Sequence, residues 1–203
     1  MSPDDLRLIA ITDDLRDGIA GLVDRAAAVV QGGATMVQVR LKHADARTLV
    51  EVSRAIVGRV SVPVIVNDRA DVALAAGAAG VHLGDDDLPV LAVRAFAPPP
   101  FIIGATLSSE ADIENARQAD YVGIGSVYGT RSKRDAGIPI GIEGLERLLG
   151  RAVVPAVGIG GVTPENAGAV MRAGAVGIAA VSVLFGADHP AHAARALRSA
   201  IGR

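Results

Sequence analysis

Five short stretches of this chain concentrate the side chains that could do chemistry. The first is Gln38-Val39-Arg40-Leu41-Lys42, in which the polar residues occupy every second position. An extended strand would place Gln38, Arg40 and Lys42 on one face and Val39 and Leu41 on the other. Two cations and an amide turned inward are costly unless they meet a partner. That partner is an anion of high charge, or buried carboxylates across the interior. The second and third stretches supply carboxylates: Asn67-Asp68, and Gly84-Asp85-Asp86-Asp87. Facing a cationic strand, they suit a Mg²⁺ ion bridging a diphosphate, because Mg²⁺ takes one or two carboxylates, waters and phosphate oxygens. Asp87-Leu88-Pro89 also reads as a helix start with Asp87 as its cap. The fourth stretch, Thr130-Arg131-Ser132-Lys133-Arg134-Asp135, lies in a long loop between glycines and could close over phosphate. The fifth joins Gly158-Ile159-Gly160-Gly161 to Val181-Ser182, where bare backbone N–H groups and a hydroxyl would hold a second phosphate.

These residues need elements that bring them to one place. Short β-branched runs alternate with Ala/Leu-rich segments along the whole sequence. Eight strands are expected, at Leu6–Thr12, Met36–Leu41, Val62–Asn67, Gly80–Gly84, Phe101–Thr106, Tyr121–Ser126, Ala156–Gly160 and Gly177–Ser182. Their nearly unbroken apolar character fits parallel strands covered on both faces. Helical spacing is clearest at Ile19–Gln31, Ala46–Arg59, Pro89–Phe96, Glu110–Gln118, Pro164–Ala173 and Pro190–Ile201. Thr163-Pro164-Glu165 has the form of a cap followed by Pro at the first helical position. Eight βα units favour a single-domain (β/α)8 TIM barrel spanning residues 1–203, since open doubly wound sheets usually have five or six strands. In such a barrel the C-terminal ends of the strands make the site, and all five stretches fall there.

Composition narrows the class. The chain has 203 residues, a formal charge of −2, no cysteine and five aromatic residues. A near-neutral balance with so few rings argues against nucleic acid as a partner. Without cysteine there is no disulfide, no thiolate nucleophile and no Cys-ligated metal. The charge-free stretch Ala173–Ala187 is too short to span a bilayer, so no membrane partner and a cytoplasmic location are expected. Small molecules are the expected partners, and a homo-oligomer is left open. His82 reads as a core or supporting residue within its strand, and His43, His189 and His192 as exposed. Of 20 basic residues only Lys42 and Lys133 are lysine. Both fall in the proposed anion site, where an ammonium and a guanidinium are not interchangeable.

In order and spacing, the motifs resemble the thiamine phosphate synthase (thiamine-phosphate pyrophosphorylase) family over nearly the whole chain. The pieces are Gln38-x-Arg40-x-Lys42, Asn67-Asp68-Arg69-x-Asp71, Val81-His82-Leu83-Gly84-x-x-Asp87-Leu88-Pro89, Gly123-x-Gly125, Thr130-x-Ser132-Lys133-x-Asp135, and Ile159-Gly160-Gly161 with Val181-Ser182. The resemblance implies a Mg²⁺-dependent joining of hydroxymethylpyrimidine diphosphate to a thiazole phosphate, releasing pyrophosphate. It assigns Gln38, Arg40, Lys42, Asn67, Thr106 and Lys133 to the pyrimidine diphosphate. Asp68 and Asp87 would ligate Mg²⁺, Thr130 and Ser132 would touch the thiazole, and Gly161, Val181 and Ser182 would hold its phosphate. Arg40, Lys42 and Lys133 become the catalytic cations that stabilise the leaving pyrophosphate. The chain departs from the family pattern at Asp85, where Gln is common, at Arg131 within a hydroxyl triplet, and at Ser132, where Thr is frequent. Thr106 replaces a usual Ser and keeps the hydroxyl. A thiazole tautomerase on the same barrel, or a regulatory barrel that only binds a phosphorylated ligand, would have no use for the carboxylates facing the cationic strand.

Overall fold

The structure, a computed structural model, describes residues 1–129 and 138–202. Its centre is a closed parallel barrel in which each strand pairs with the next and the eighth returns to the first. The strands are β1 (Leu8–Ile11), β2 (Met36–Val39), β3 (Val64–Asn67), β4 (Gly80–Leu83), β5 (Ile102–Thr106), β6 (Tyr121–Ile124), β7 (Ala156–Ile159) and β8 (Gly177–Ala180). Closure is carried by β1, whose Ile9 lies opposite Met36 on one side and Ala179 on the other.

Alternation along these strands divides the apolar residues into two clusters. Ile9, Ile11, Met36, Ile65, Ile102, Tyr121, Val157 and Ala179 pack with Leu6 inside the barrel. Their neighbours Leu8, Ala10, Val37, Val39, Val64, Val66, Val81 and Ile103 point outward and pack with the helices. The helices read as amphipathic because only one stripe of each is covered. In α1 (Gly18–Gln31) the stripe is Leu22, Ala26 and Val29; in α2 (Ala46–Val57) it is Leu49, Val52 and Ile56. Each fully buried Leu, Ile or Val contributes roughly 1.5–3 kcal/mol. Asp45 caps α2 by accepting the Thr48 N–H at 2.8 Å.

The remaining helices are α3 (Ala70–Ala76), α4 (Val90–Arg94), α5 (Ile113–Ala116), α6 (Gly141–Leu149), α7 (Ala167–Arg172), α8 (Ser182–Phe185) and α9 (Pro190–Ala200). Three differences from the sequence expectation concern the side of the barrel that carries the polar residues. The segment expected from Pro164 becomes helical only at Ala167, because Asn166 accepts the Thr163 N–H at 2.8 Å and donates to the Gly161 carbonyl at 3.0 Å. Those bonds make 163–166 a turn that braces the loop after β7. Asp87 does not cap the helix at Pro89; its carboxylate accepts the Gly84 N–H at 2.6 Å and closes the turn after β4. Ser182 is not the end of a strand: β8 stops at Ala180 and Ser182 opens α8. Among the described residues no helix is long and apolar enough to cross a membrane.

Candidate active site

The C-terminal ends of the strands surround a cavity of about 930 Å³, large enough for two small substrates. Gln38, Arg40 and Lys42 all line it. The ladder of β2 ends at Val39, so Arg40 and Lys42 continue beyond the strand. A single hydroxyl continues the pairing for one more residue: fully buried Thr12 accepts the Arg40 N–H at 2.8 Å and donates to the Arg40 carbonyl at 3.1 Å. This holds the backbone under a half-buried guanidinium. Burial pushes the Arg40 pKa down and the nearby Asp68 carboxylate pushes it back up. A guanidinium remains charged under both influences, so this is a partly desolvated cation near an anion.

Asp68 is reached through a chain of amides. Buried Gln38 donates Nε2–H to Asn67 Oδ1 at 2.6 Å, and Asn67 in turn donates Nδ2–H to Asp68 Oδ1. Asp68 itself sits at φ 65°, an uncommon conformation for a residue other than glycine. Two backbone bonds hold it there: Asp68 N–H to the His82 carbonyl, and Arg69 N–H back to the Asn67 carbonyl, both at 2.8 Å. The turn ends β3 abruptly and leaves the carboxylate exposed at the cavity wall. Beyond β4, Asp85 also lines the cavity and accepts the Ser108 hydroxyl at 3.2 Å, whereas Asp87, pinned by Gly84, does not line it. Among the described residues no three His, Asp or Glu side chains gather into a metal-binding group. Asp68 and Asp85, both at the cavity wall, are of the kind that could hold a hard cation such as Mg²⁺, which takes one or two carboxylates and completes its shell with phosphate oxygens and waters.

The opposite wall is built from backbone. Gly160 and Gly161 after β7 have φ of 97° and 64°, and a Cβ at Gly161 would lie 2.5 Å from the Gly129 carbonyl oxygen. Only glycine can take that shape at that distance. Val181 and exposed Ser182 join them at the cavity. Arg16 fastens the far end of α8 by donating to the Phe185 carbonyl. Thr130, Ser132 and Lys133 lie outside the described residues, as do their neighbours through 137.

His82 is a lining residue of the cavity rather than part of the core, and Thr106, at the end of β5, lies 3.4 Å from its Nε2. Tyr121 supports the ring from below, with its hydroxyl 3.1 Å from His82 Nδ1. Thr12 gave no chemical signal in the sequence, since a single Thr after an apolar run also reads as a strand end.

A closed (β/α)8 barrel with a polar cavity at the C-terminal ends of its strands defines the class: a barrel enzyme for small-molecule substrates. The chain matches the family model described as thiamine monophosphate synthase over residues 8–184. It is 46% identical over 204 aligned residues to a thiamine-phosphate synthase of Azorhizobium caulinodans, covering 98% of this chain and 96% of that one. A second such synthase, from Chloroflexus aurantiacus, is 45% identical with 97% and 93% covered. The solved structure of a thiamine phosphate pyrophosphorylase from Pyrococcus furiosus superposes with a TM-score of 0.87 at 35% identity, covering 98% of this chain and 96% of that one. The chain therefore belongs to the thiamine monophosphate synthase family, whose members are transferases.

Proposed function

We propose that this protein joins hydroxymethylpyrimidine diphosphate to a thiazole phosphate, forming thiamine phosphate and pyrophosphate. The observation that carries the reading is the wall formed by Gln38, Asn67, Asp68 and Arg40. It sets a desolvated guanidinium beside a fixed carboxylate, across one cavity from Gly161 and Ser182. One wall then takes the diphosphate with its cation, and the other takes the monophosphate of the second substrate.

The substrate's CH₂–O bond breaks with its electron pair leaving on pyrophosphate, and the thiazole nitrogen lone pair forms the new C–N bond. The carbon is benzylic in character on an electron-rich aminopyrimidine, so the transition state is dissociative. Asp68 at the cavity wall, together with a carboxylate of the turn after β4, where the resemblance gives Asp87 and the cavity is lined by Asp85, would hold Mg²⁺, which would neutralise charge on the diphosphate oxygens. Arg40 and Lys42 supply positive charge where the leaving group gathers negative charge, and the resemblance adds Lys133, which lies outside the described residues, to that set. Gln38 and Asn67 orient the first substrate through their amides. The nucleophile carries no proton to be removed, so the step requires no activated Ser, Cys or His. Holding both substrates in one cavity supplies the proximity contribution.

The test mixes the two phosphorylated halves with the purified chain, with and without Mg²⁺, and measures thiamine phosphate and pyrophosphate. Equal amounts of both, formed only with the metal, are expected. No product under any metal condition refutes the assignment.

A further inference from the structure

We infer that Tyr121 is a positioning residue: through His82 it sets the direction of the Thr106 hydroxyl, so that the site presents a hydrogen-bond donor to the ring of its first substrate and selects a ring with an acceptor nitrogen at that point. The inference rests on the reading of this cavity as the pyrimidine diphosphate site.

Tyr121 begins β6 with its side chain inside the barrel, 1% exposed. The neighbouring strand makes room for it with Gly104, opposite Tyr121 in register; a Cβ there would lie 2.4 Å from ring atoms Cε1 and Cζ. The ring is therefore placed by the backbone. Its hydroxyl makes one hydrogen bond among the described residues, to His82 Nδ1 at 3.1 Å. A fully buried O–H needs an acceptor, and burial keeps this phenol protonated by pushing its pKa up. Tyr121 must then donate and Nδ1 must accept. A neutral imidazole with a bare Nδ1 carries its proton on Nε2.

Nε2 faces Thr106 Oγ at 3.4 Å, and this is the only hydrogen bond of that hydroxyl among the described residues. With Nε2–H donating, the hydroxyl's own proton is directed into the cavity. Reversing the relay would leave a buried phenol proton without an acceptor at the barrel centre. Tyr121 thereby decides what Thr106 offers.

Two measurements test this on the full chain. Long-range ¹H–¹⁵N spectra of protein labelled at histidine, with His82 assigned through His82→Gln, read the tautomer without any substrate. Unprotonated Nδ1 and protonated Nε2 are expected, and a protonated Nδ1 overturns the relay. Steady-state kinetics of Tyr121→Phe, which keeps the ring against Gly104, form the second measurement. A rise of about five-fold in the KM for the pyrimidine diphosphate is expected, the size of one ordinary hydrogen bond, with the KM for thiazole phosphate unchanged. Thr106→Val should show the same split, and the double variant should be no worse than Thr106→Val alone. Equal rises in both KM values, or none, overturn the proposal. The two failures are separable: absence of product with Nε2–H intact refutes the reaction, whereas Nδ1–H refutes the relay even in an enzyme that turns over.

Discussion

Arg40 and Asp68 form a pair whose value lies in what it does for a third charge. The guanidinium is half out of water, and the Asp68 carboxylate near it sits on a strained turn at φ 65°. Strain of this kind costs on the order of 1–3 kcal/mol and persists only where the surroundings enforce it. Asp68→Asn should therefore leave the fold intact while lowering kcat by about 100- to 1000-fold, the scale of losing one preorganised charge interaction. Melting temperature and steady-state kinetics measured together check it; a large drop in melting temperature would recast Asp68 as structural. Lys42 tests the other end of the same wall. Lys42→Ala should abolish turnover and leave binding of thiazole phosphate unchanged by calorimetry, and Lys42→Arg should not restore the rate. Matching loss of thiazole phosphate affinity would show that the two walls have been assigned to the wrong substrates.

Where β1 and β2 run out of ladder, the hydroxyl of Thr12 substitutes for one more residue of strand. Thr12→Val keeps the shape but removes the hydroxyl that bonds both the Arg40 N–H and its carbonyl, which costs about 1–3 kcal/mol. A lower denaturation midpoint and a reduced kcat/KM are expected, with both recovered in Thr12→Ser; an active, fully stable Thr12→Val would dismiss the clamp. Elements of this size also set what could be read from sequence. The eight strands were legible because each is an apolar run bounded by turn residues, and alternation put Gln38, Arg40 and Lys42 on the correct face. The short helices α3, α6 and α8 were not. Ala70–Ala76 is too alanine-rich to show a stripe, Gly141 and Gly144 interrupt the pattern of the second, and one turn at Ser182–Phe185 has no periodicity at all. Asp85 and Asp87 could not be told apart, because the direction of each side chain depends on which one closes the turn at Gly84. The Tyr121–His82 contact spans 39 residues of sequence, and a lone tyrosine in an apolar strand looks like any other core residue.

The closed barrel buries one phenol at its centre, and that group makes its stability depend on pH in a particular direction. Arg7 draws the chain's two ends together by donating to the carbonyls of Ile201 at 2.9 Å and Gly202 at 3.1 Å, next to the β1–β8 seam. Inside that closed ring, Tyr121 is a buried phenol packed among side chains from most of the strands. Burial raises its folded-state pKa well above the ordinary value of about 10. In the unfolded chain the phenol ionises near that ordinary value, so above it the unfolded state binds fewer protons than the native one. The stabilisation is thus complete below about pH 10 and is lost progressively as pH rises beyond, by about 1.4 kcal/mol per pH unit. Tyr121→Phe has no proton to lose at this position. Urea midpoints of the two proteins from pH 8 to 11.5 should run parallel up to about pH 10 and converge or cross above it, the parent falling more steeply. Parallel curves across the whole range would mean that Tyr121 ionises as readily inside the barrel as outside, which is incompatible with the buried hydroxyl on which the relay to Thr106 depends.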